Sequence, residues 1–318
     1  MQYINNFLGD LEKFIRPQGI KILSLLGLYY VASRSFRMIN SFVNNFCYLR
    51  YNLPQRYGEG SWAFITGAAR GIGAAFAYEL AKLGFNLILI DINEDLLKKT
   101  ELFIKEQFPK VHTKFFIVDF SNAWQENFFE NLLTSVEGLD ISILINNVGR
   151  GVPPGPFYKA PEKEVIDAIA VNTLPMAILT HRFIPVMMKR EKKSAIINLA
   201  STTATFPVPM LATYCSTKAF VDTMSRAIER EVRGKIDVLS VRPSEVSTDM
   251  IKTPPIGGFV ISPTSLAQAV LGKVGKFTDT NGHWRHEVKS WLKHSSLLRE
   301  MAVNSFLKKF NEVEKKTE

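Results

Sequence analysis

The stretch Ser61 to Gly73, SWAFITGAARGIG, constrains the fold of this chain more than any other. Its apolar start, Trp62 to Ile65, has the length and type of a buried strand. Gly67, Gly71 and Gly73 then break the run. In the AAFAYELAKLG that follows, Ala74, Ala77, Leu80, Ala81 and Gly84 recur at helical spacing. Strand, glycine turn and helix together frame a dinucleotide site. Glycine lets the backbone turn sharply and approach a pyrophosphate, and the helix N-terminus offers free N–H groups and a positive dipole end. The spacing is G-x-x-x-G-x-G rather than G-x-G-x-x-G, and taken alone it fits a plain tight turn equally well.

Downstream the pattern keeps alternating. Strands are expected at Asn86–Asp91, Thr113–Val118, Ile141–Ile145, Ser194–Ala200 and Ile236–Val241. Helices are expected at Asn93–Phe108, Asn122–Val136, Glu162–Lys189 and Thr213–Arg233. This alternation predicts an α/β fold: a doubly wound, Rossmann-type parallel sheet with helices on both faces. Ligands of such sheets bind beyond the carboxyl ends of the strands, so the turns after the strands face one crevice.

At 318 residues the chain accommodates one large domain with appendages. The expected division is a hydrophobic helical extension over 1–57, the Rossmann domain over 58–300 and a basic tail over 301–318. Within the extension, Ile22–Ser33 is uncharged and mostly apolar, yet shorter than the roughly 20 residues of a full span. It reads as an interfacial helix or as a membrane anchor lengthened by a snorkelling Lys21, not as a cleaved leader. Part of the net charge of +9 sits at the ends, in Arg34, Arg37, Arg50 and Arg56 and in Lys308, Lys309, Lys315 and Lys316. Basic ends around a folded domain fit an anionic membrane surface, and no motif points to nucleic acid. The cysteines, Cys47 and Cys215, make no disulfide framework. His283, His286 and His294 lack cysteine or carboxylate partners at ligand spacing, so no metal site is expected.

The chemistry-bearing residues cluster at the predicted crevice. Tyr214 and Lys218 share one helix face. A lysine ammonium beside a phenol favours the phenolate and lowers its pKa from about 10, which suits proton exchange near neutral pH. Ser201, at the end of the fifth strand, places a hydroxyl where it can hold a carbonyl or alcohol oxygen. Asn172 lies in a long apolar helix shortly before Pro175, which should bend that helix. Each has a plain structural reading: a helix surface pair, a turn serine, a kink-satisfying asparagine.

Together these pieces resemble the short-chain dehydrogenase/reductase family. TGAARGIG (Thr66–Gly73), NNVG (Asn146–Gly149), Asn172, Ser201, YCSTK (Tyr214–Lys218) and RPSEVST (Arg242–Thr248) stand in the family's order and spacing, over about residues 60 to 250. NNVG in place of NNAG, and FPVPMLATYCSTKAFVD after the serine, resemble a narrower group: the membrane-bound 17-beta-hydroxysteroid dehydrogenases and very-long-chain 3-oxoacyl-CoA reductases. That resemblance implies an NAD(P)-dependent oxidoreductase at the endoplasmic reticulum membrane; if the N-terminal segment spans, the basic residues on its C-terminal side leave the catalytic domain facing the cytosol. Lys315-Lys316-Thr317-Glu318 resembles a dilysine retrieval signal.

The resemblance also implies roles. Tyr214 exchanges the proton, Lys218 lowers the tyrosine pKa and bonds the nicotinamide ribose, Ser201 orients the carbonyl, and Asn172 anchors a water that links Lys218 to solvent. Gly67, Arg70, Gly71, Ile72 and Gly73 hold the cofactor. Asn147 and Gly149 line the adenosine ribose side, Asp119 meets the adenine, and Val246 and Thr248 contact the carboxamide and phosphates. Ser244 departs from the family's usual glycine after Pro243. Asp91, ending the second strand, favours NAD(H) by bonding a ribose 2′-OH. Arg70 could pair with a 2′-phosphate and favours NADP(H), as does the narrower group, whose reductases carry Ser-Arg where Asp91-Ile92 stands. The strand-end carboxylate decides the expectation for NAD(H), with NADP(H) the alternative.

Phe206–Leu211 and Met250–Pro263 are rich in apolar residues and proline, which suits a lipophilic steroid or acyl substrate and equally fits ordinary packing loops. His283–Leu298, with Trp284 and Trp291 among basic residues, reads as a strand edge, a membrane-surface helix or a dimer contact. A homodimer is expected from the resemblance. The competing readings are a catalytically silent nucleotide-binding scaffold and a soluble reductase of small carbonyls.

Overall fold

Short runs of Ile, Leu, Val and Phe between glycine and asparagine turns build the sheet of this protein, and flanking amphipathic helices bury it. A computed structural model describes the chain except residues 1, 15–17, 47–49, 249–257, 294, 296–297, 302, 306 and 309–318. The dilysine-like end and most of Met250–Pro263 therefore lie outside the described residues. The chain divides into two units, Met1–Leu49 and Arg50–Glu318.

The first unit holds α1 (Gln2–Phe14) and α2 (Ile20–Phe46). The expected apolar segment is part of α2, whose 27 residues also take in Lys21, Arg34 and Arg37. Leu23, Leu25, Leu28 and Tyr29 of α2 are exposed. Among the described residues one helix, Glu162–Met188, is long and apolar enough to cross a membrane, and 44% of its apolar window is buried in the protein. It is a core helix of the second unit.

The second unit starts with α3 (Leu53–Tyr57), followed by β1 (Trp62–Thr66), α4 (Gly71–Lys82), β2 (Asn86–Asp91), α5 (Glu94–Gln107) and β3 (Thr113–Ile117). Then come α6 (Glu130–Thr134), β4 (Ile141–Asn146), α7 (Glu162–Met188), β5 (Ser194–Leu199), α8 (Ala212–Val232), β6 (Ile236–Val241), α9 (Pro263–Leu271), β7 (Asp279–Thr280) and α10 (Trp284–Lys293). The strands form one seven-stranded sheet in the order β3-β2-β1-β4-β5-β6-β7, and every pairing is parallel. The order reverses between β1 and β4, which is where such sheets open a crevice.

Side chains alternate across the sheet. Ala63, Ile65, Leu87 and Leu89 face α4, α5 and α9, packing with Phe76, Leu80, Leu97 and Leu266. Phe64, Ile88, Ile90 and Ile196 face the other way, against Leu179, Phe183 and Met187 of α7 and Ile228 of α8. Phe64 meets Phe183 edge-on at 4.9 Å. Both faces are covered, so the central strands are mostly apolar, with polar side chains such as Ser142, Asn146, Asn198 and Ser240 buried among them.

The structure corrects two expectations. The helix predicted over Asn122–Val136 shrinks to α6, because Asp119 caps a short 3-10 turn at Phe120–Asn122 and Asn127 adopts φ 59°, which no α-helix continues through. A seventh strand, β7, is added at the β6 edge, pairing Ser240 with Asp279 and Val241 with Thr280.

Candidate active site

The glycine turn after β1 is closed by its neighbours. Gly67 has φ +67°, and a Cβ there would stand 2.8 Å from Asn147 Nδ2. A Cβ on Gly73 would stand 1.9 Å from the Gly67 carbonyl oxygen, so no side chain fits. Asn147 Nδ2 donates to the carbonyls of Thr66 at 2.9 Å and Gly67 at 3.0 Å. Thr66 Oγ1 accepts from the backbone N–H of Asn147 at 3.0 Å and Val148 at 3.1 Å. The ends of β1 and β4 are thereby locked together beside the first turn of α4, where Ile72 packs partly buried against the core. A Cβ on Gly71 would meet Thr248 Cγ2 at 3.2 Å, so the segment after β6 reaches the turn from the far side. Bare backbone at a helix N-terminus fits a pyrophosphate.

Asp91 is tied to this turn. Its Oδ2 accepts from Ala69 N and its Oδ1 from Asn93 N, both at 3.0 Å. Each oxygen keeps a lone pair for a further donor. Arg70 is exposed and precedes α4. Asp119 is exposed, and its Oδ1 accepts from Ser121 N at 2.9 Å. Val246 is buried and bridges to Ile261, so only its backbone can meet a ligand.

α7 and α8 carry the second half of the site. Asn172 is buried. Its Nδ2 donates to Arg150 O at 3.1 Å and Thr217 Oγ1 at 3.0 Å, and its Oδ1 accepts from Arg150 N at 2.6 Å. It thus pins the loop after β4 to α8, one residue from Lys218. Gly149 lies between them: a Cβ there would stand 3.2 Å from Lys218 Nζ and 3.4 Å from Asn172 Oδ1. Gly149 therefore adjoins the lysine, not only the ribose side on which the resemblance put it.

Lys218 is buried, and its Nζ donates to the Leu199 carbonyl at 2.7 Å. Burial lowers its pKa from 10.5 to about 8. Ser201 Oγ accepts from Thr203 N at 3.2 Å, the turn role of its plain reading, and also hydrogen-bonds the Tyr214 phenol. The tyrosine pKa is raised above its ordinary value, burial being the main cause and the Ser201 bond opposing it. This corrects the expectation that Lys218 lowers it: the ammonium is 5.9 Å from the ring centroid and bonds a carbonyl instead. Without cofactor, Tyr214 is a neutral phenol.

Other contributors were not legible in advance. Thr66, Thr217 and the Leu199 carbonyl hold the key groups. On α10, the fully buried His286 accepts at Nδ1 from Ser244 N at 3.2 Å, and its Nε2 lies 3.2 Å from Glu245 O and 3.1 Å from Phe259 O. Lys289 pairs with Glu245. Ser244, the residue that departs from the family pattern, is thus held by α10.

The sequence matches the short chain dehydrogenase family over residues 61–255. This chain belongs to that family. The dehydrogenase is 35% identical over 258 residues to a very-long-chain 3-oxoacyl-CoA reductase of Anas platyrhynchos, covering 80% of this chain and 81% of that one. It is 30% identical over 297 residues to a protein of the same name from Aspergillus niger, covering 91% and 85%. Among solved structures, a 3-ketoacyl-(acyl-carrier-protein) reductase from Brucella melitensis complexed with NADH superposes with a TM-score of 0.61 at 26% identity, covering 69% and 92%. A 7beta-hydroxysteroid dehydrogenase shares the fold with a TM-score of 0.71 at 23% identity, covering 80% and 99%. The dehydrogenase is therefore a nicotinamide-dependent oxidoreductase acting on CH–OH groups and the corresponding ketones.

Proposed function

We propose that this dehydrogenase reduces the 3-oxo group of long-chain acyl-CoA thioesters, with NADH as the preferred reductant. The observation that carries the reading is the gathering of Tyr214, Ser201, Lys218 and Asn172 at one end of the sheet, in a chain whose relatives along most of its length are named 3-oxoacyl-CoA reductases.

When bound, the nicotinamide supplies the hydride. The chain supplies the rest. The neutral Tyr214 phenol donates its proton to the substrate oxygen. Ser201, already on the phenol oxygen, turns its hydroxyl to the same substrate oxygen and orients it. Lys218, one of whose protons is engaged by Leu199, offers the others to a ribose hydroxyl. Asn172 positions Lys218 through the loop and Thr217. Gly67, Gly71, Ile72 and Gly73 receive the pyrophosphate, Asp119 the adenine, Asn147 and Gly149 the ribose side, and the backbone of Val246 and Thr248 the carboxamide end.

For the cofactor, Asp91 supports NADH: a carboxylate at the end of β2 accepts from a ribose 2′-OH and repels a 2′-phosphate. Initial rates with NADH and NADPH test this. A much higher catalytic efficiency with NADPH contradicts it. In Asp91→Ser the ratio should move toward NADPH; the ratio is the readout, because Asp91 also supports the turn at Ala69.

The reading extends to an endoplasmic reticulum membrane location, with α2 as the attachment and the catalytic unit on the cytosolic side, supported by the exposed apolar side chains of α2. It extends also to a homodimer through α7 and α8, where Phe157, Ile169 and Phe220 surround an outward concavity of about 460 Å³. Turnover of a long-chain 3-oxoacyl-CoA against a steroid ketone, in parallel, tests the substrate class. Turnover of the steroid alone overturns it.

A further inference from the structure

The amphipathic pattern of α10 is reversed relative to that of a helix on a soluble protein. The face turned into the protein is polar. His286 and Ser290 are buried, Glu287 accepts from Thr280 Oγ1 at 3.0 Å and Asn281 N at 2.9 Å, and Lys289 pairs with Glu245. The face turned to solvent is apolar. Trp284, Val288 and Trp291 fall on one helical stripe and are 42%, 43% and 53% exposed. Covering the polar groups with protein while leaving two indoles in water is the reverse of the usual arrangement, and an exposed apolar ridge of this kind marks a contact outside the fold.

We propose that this ridge docks on the surface of an anionic lipid bilayer. Indoles concentrate where an apolar phase meets headgroups. A cation stands beside the ridge, the Arg285 guanidinium lying 5.6 Å from the Trp284 ring centroid, and further along the chain Arg299, paired with Glu300, and Lys308 are exposed. A second copy of a chain carrying a net +9 brings the same cations against each other, whereas anionic headgroups neutralise them. Leu298 and Met301, also exposed, add apolar surface on the same side of the sequence. Through His286 and Lys289 the same helix holds Ser244, Glu245 and Phe259, so docking brings the segment beside the crevice to the interface. That consequence, unlike the docking, rests on the acyl substrate proposed above.

The test uses the full chain reconstituted into mixed phosphatidylcholine–phosphatidylserine vesicles, with acyl chains brominated or plain. Bromine quenches indoles only at contact distance, so attachment elsewhere on the chain gives no signal from the ridge. The ridge holds two of the four tryptophans, so brominated lipid should remove about half of the emission. Trp284→Ser combined with Trp291→Ser should abolish that quenching, and Trp124→Ser should retain it. Equal emission in both vesicles overturns the proposal, as does quenching that survives in the double variant. A dimer in lipid-free detergent that the double variant dissociates assigns the ridge to a second copy and overturns it too. No cofactor or substrate enters the readout, so failure of the oxidoreductase reading leaves the result interpretable.

Discussion

Lys218 Nζ donates to the Leu199 carbonyl at 2.7 Å and stands 5.9 Å from the centroid of the Tyr214 ring. The ammonium is therefore buried on a backbone acceptor, with no carboxylate among the causes of its pKa shift. Its folded-state pKa of about 8 lies below the ordinary 10.5, so the unfolded chain binds the proton more tightly. Stability then rises with pH across that window, and at neutral pH the buried charge costs on the order of 1–3 kcal/mol. Lys218→Met should raise the melting temperature at pH 7 while reducing turnover by at least two orders of magnitude. Parallel calorimetry and kinetics check both; a destabilised variant contradicts the electrostatic account.

Asn172 joins Arg150 to Thr217 with all of its donors. Asn172→Ala leaves the Arg150 N–H and the Thr217 hydroxyl short of partners in a buried place, and should cost about 2–4 kcal/mol. Asn172→Asp removes the donors but keeps the acceptor, so Arg150 N stays satisfied and the loss should be in turnover more than in melting temperature. Chemical denaturation and single-turnover rates separate the two.

The glycine turn offers a graded series. Gly73→Ala puts a Cβ 1.9 Å from the Gly67 carbonyl and should abolish cofactor binding. Gly149→Ala at 3.2 Å from Lys218 Nζ should weaken cofactor binding less than Gly73→Ala does and also cut turnover. Gly84→Ala has open space but φ +85°, and should cost about 1 kcal/mol without touching either. Fluorescence titration with NADH across the three variants tests the order.

The series also shows what was legible. The turn, the apolar strands and the spacing of Ser201, Tyr214 and Lys218 are local patterns, and the structure gathers them as expected. The partners of the site are not local patterns. Lys218 rests on a carbonyl of β5, and His286 on the N–H of Ser244 and the carbonyls of Glu245 and Phe259. Backbone atoms carry no residue identity, so no spacing rule reveals them. The opposite direction of the Tyr214 shift has the same origin: helical spacing brings the lysine near but does not state which atom it bonds. β7 has two residues, too few for alternation to register, and α6 is shortened by a single backbone angle at Asn127.

His286 makes the α10 clamp sensitive to acid. Its pKa is lowered, burial being the largest cause. Around it stand Glu245, held at about 2 by Lys289 and Ser244 against burial, His283, lowered to about 4, Lys289, and Lys293, itself lowered by burial. Protonation removes the Nδ1 acceptor from Ser244 N. The folded pKa lies below the unfolded value of about 6.5, so the clamp's stability is full above that pH and is lost as pH falls below it. The protection factor of the Ser244 amide, its exchange rate corrected for the intrinsic slowing of exchange in acid, should fall on acidification. In His286→Asn, whose Oδ1 keeps the acceptor, that acid dependence should disappear.

The central claim is that Tyr214 transfers the proton, and Tyr214→Phe tests it most directly. Cofactor affinity by fluorescence titration and turnover of a long-chain 3-oxoacyl-CoA are measured on the same preparation. The account predicts unchanged cofactor affinity with turnover reduced at least a thousandfold, about 4 kcal/mol of transition-state stabilisation. Turnover within tenfold of the parent contradicts it.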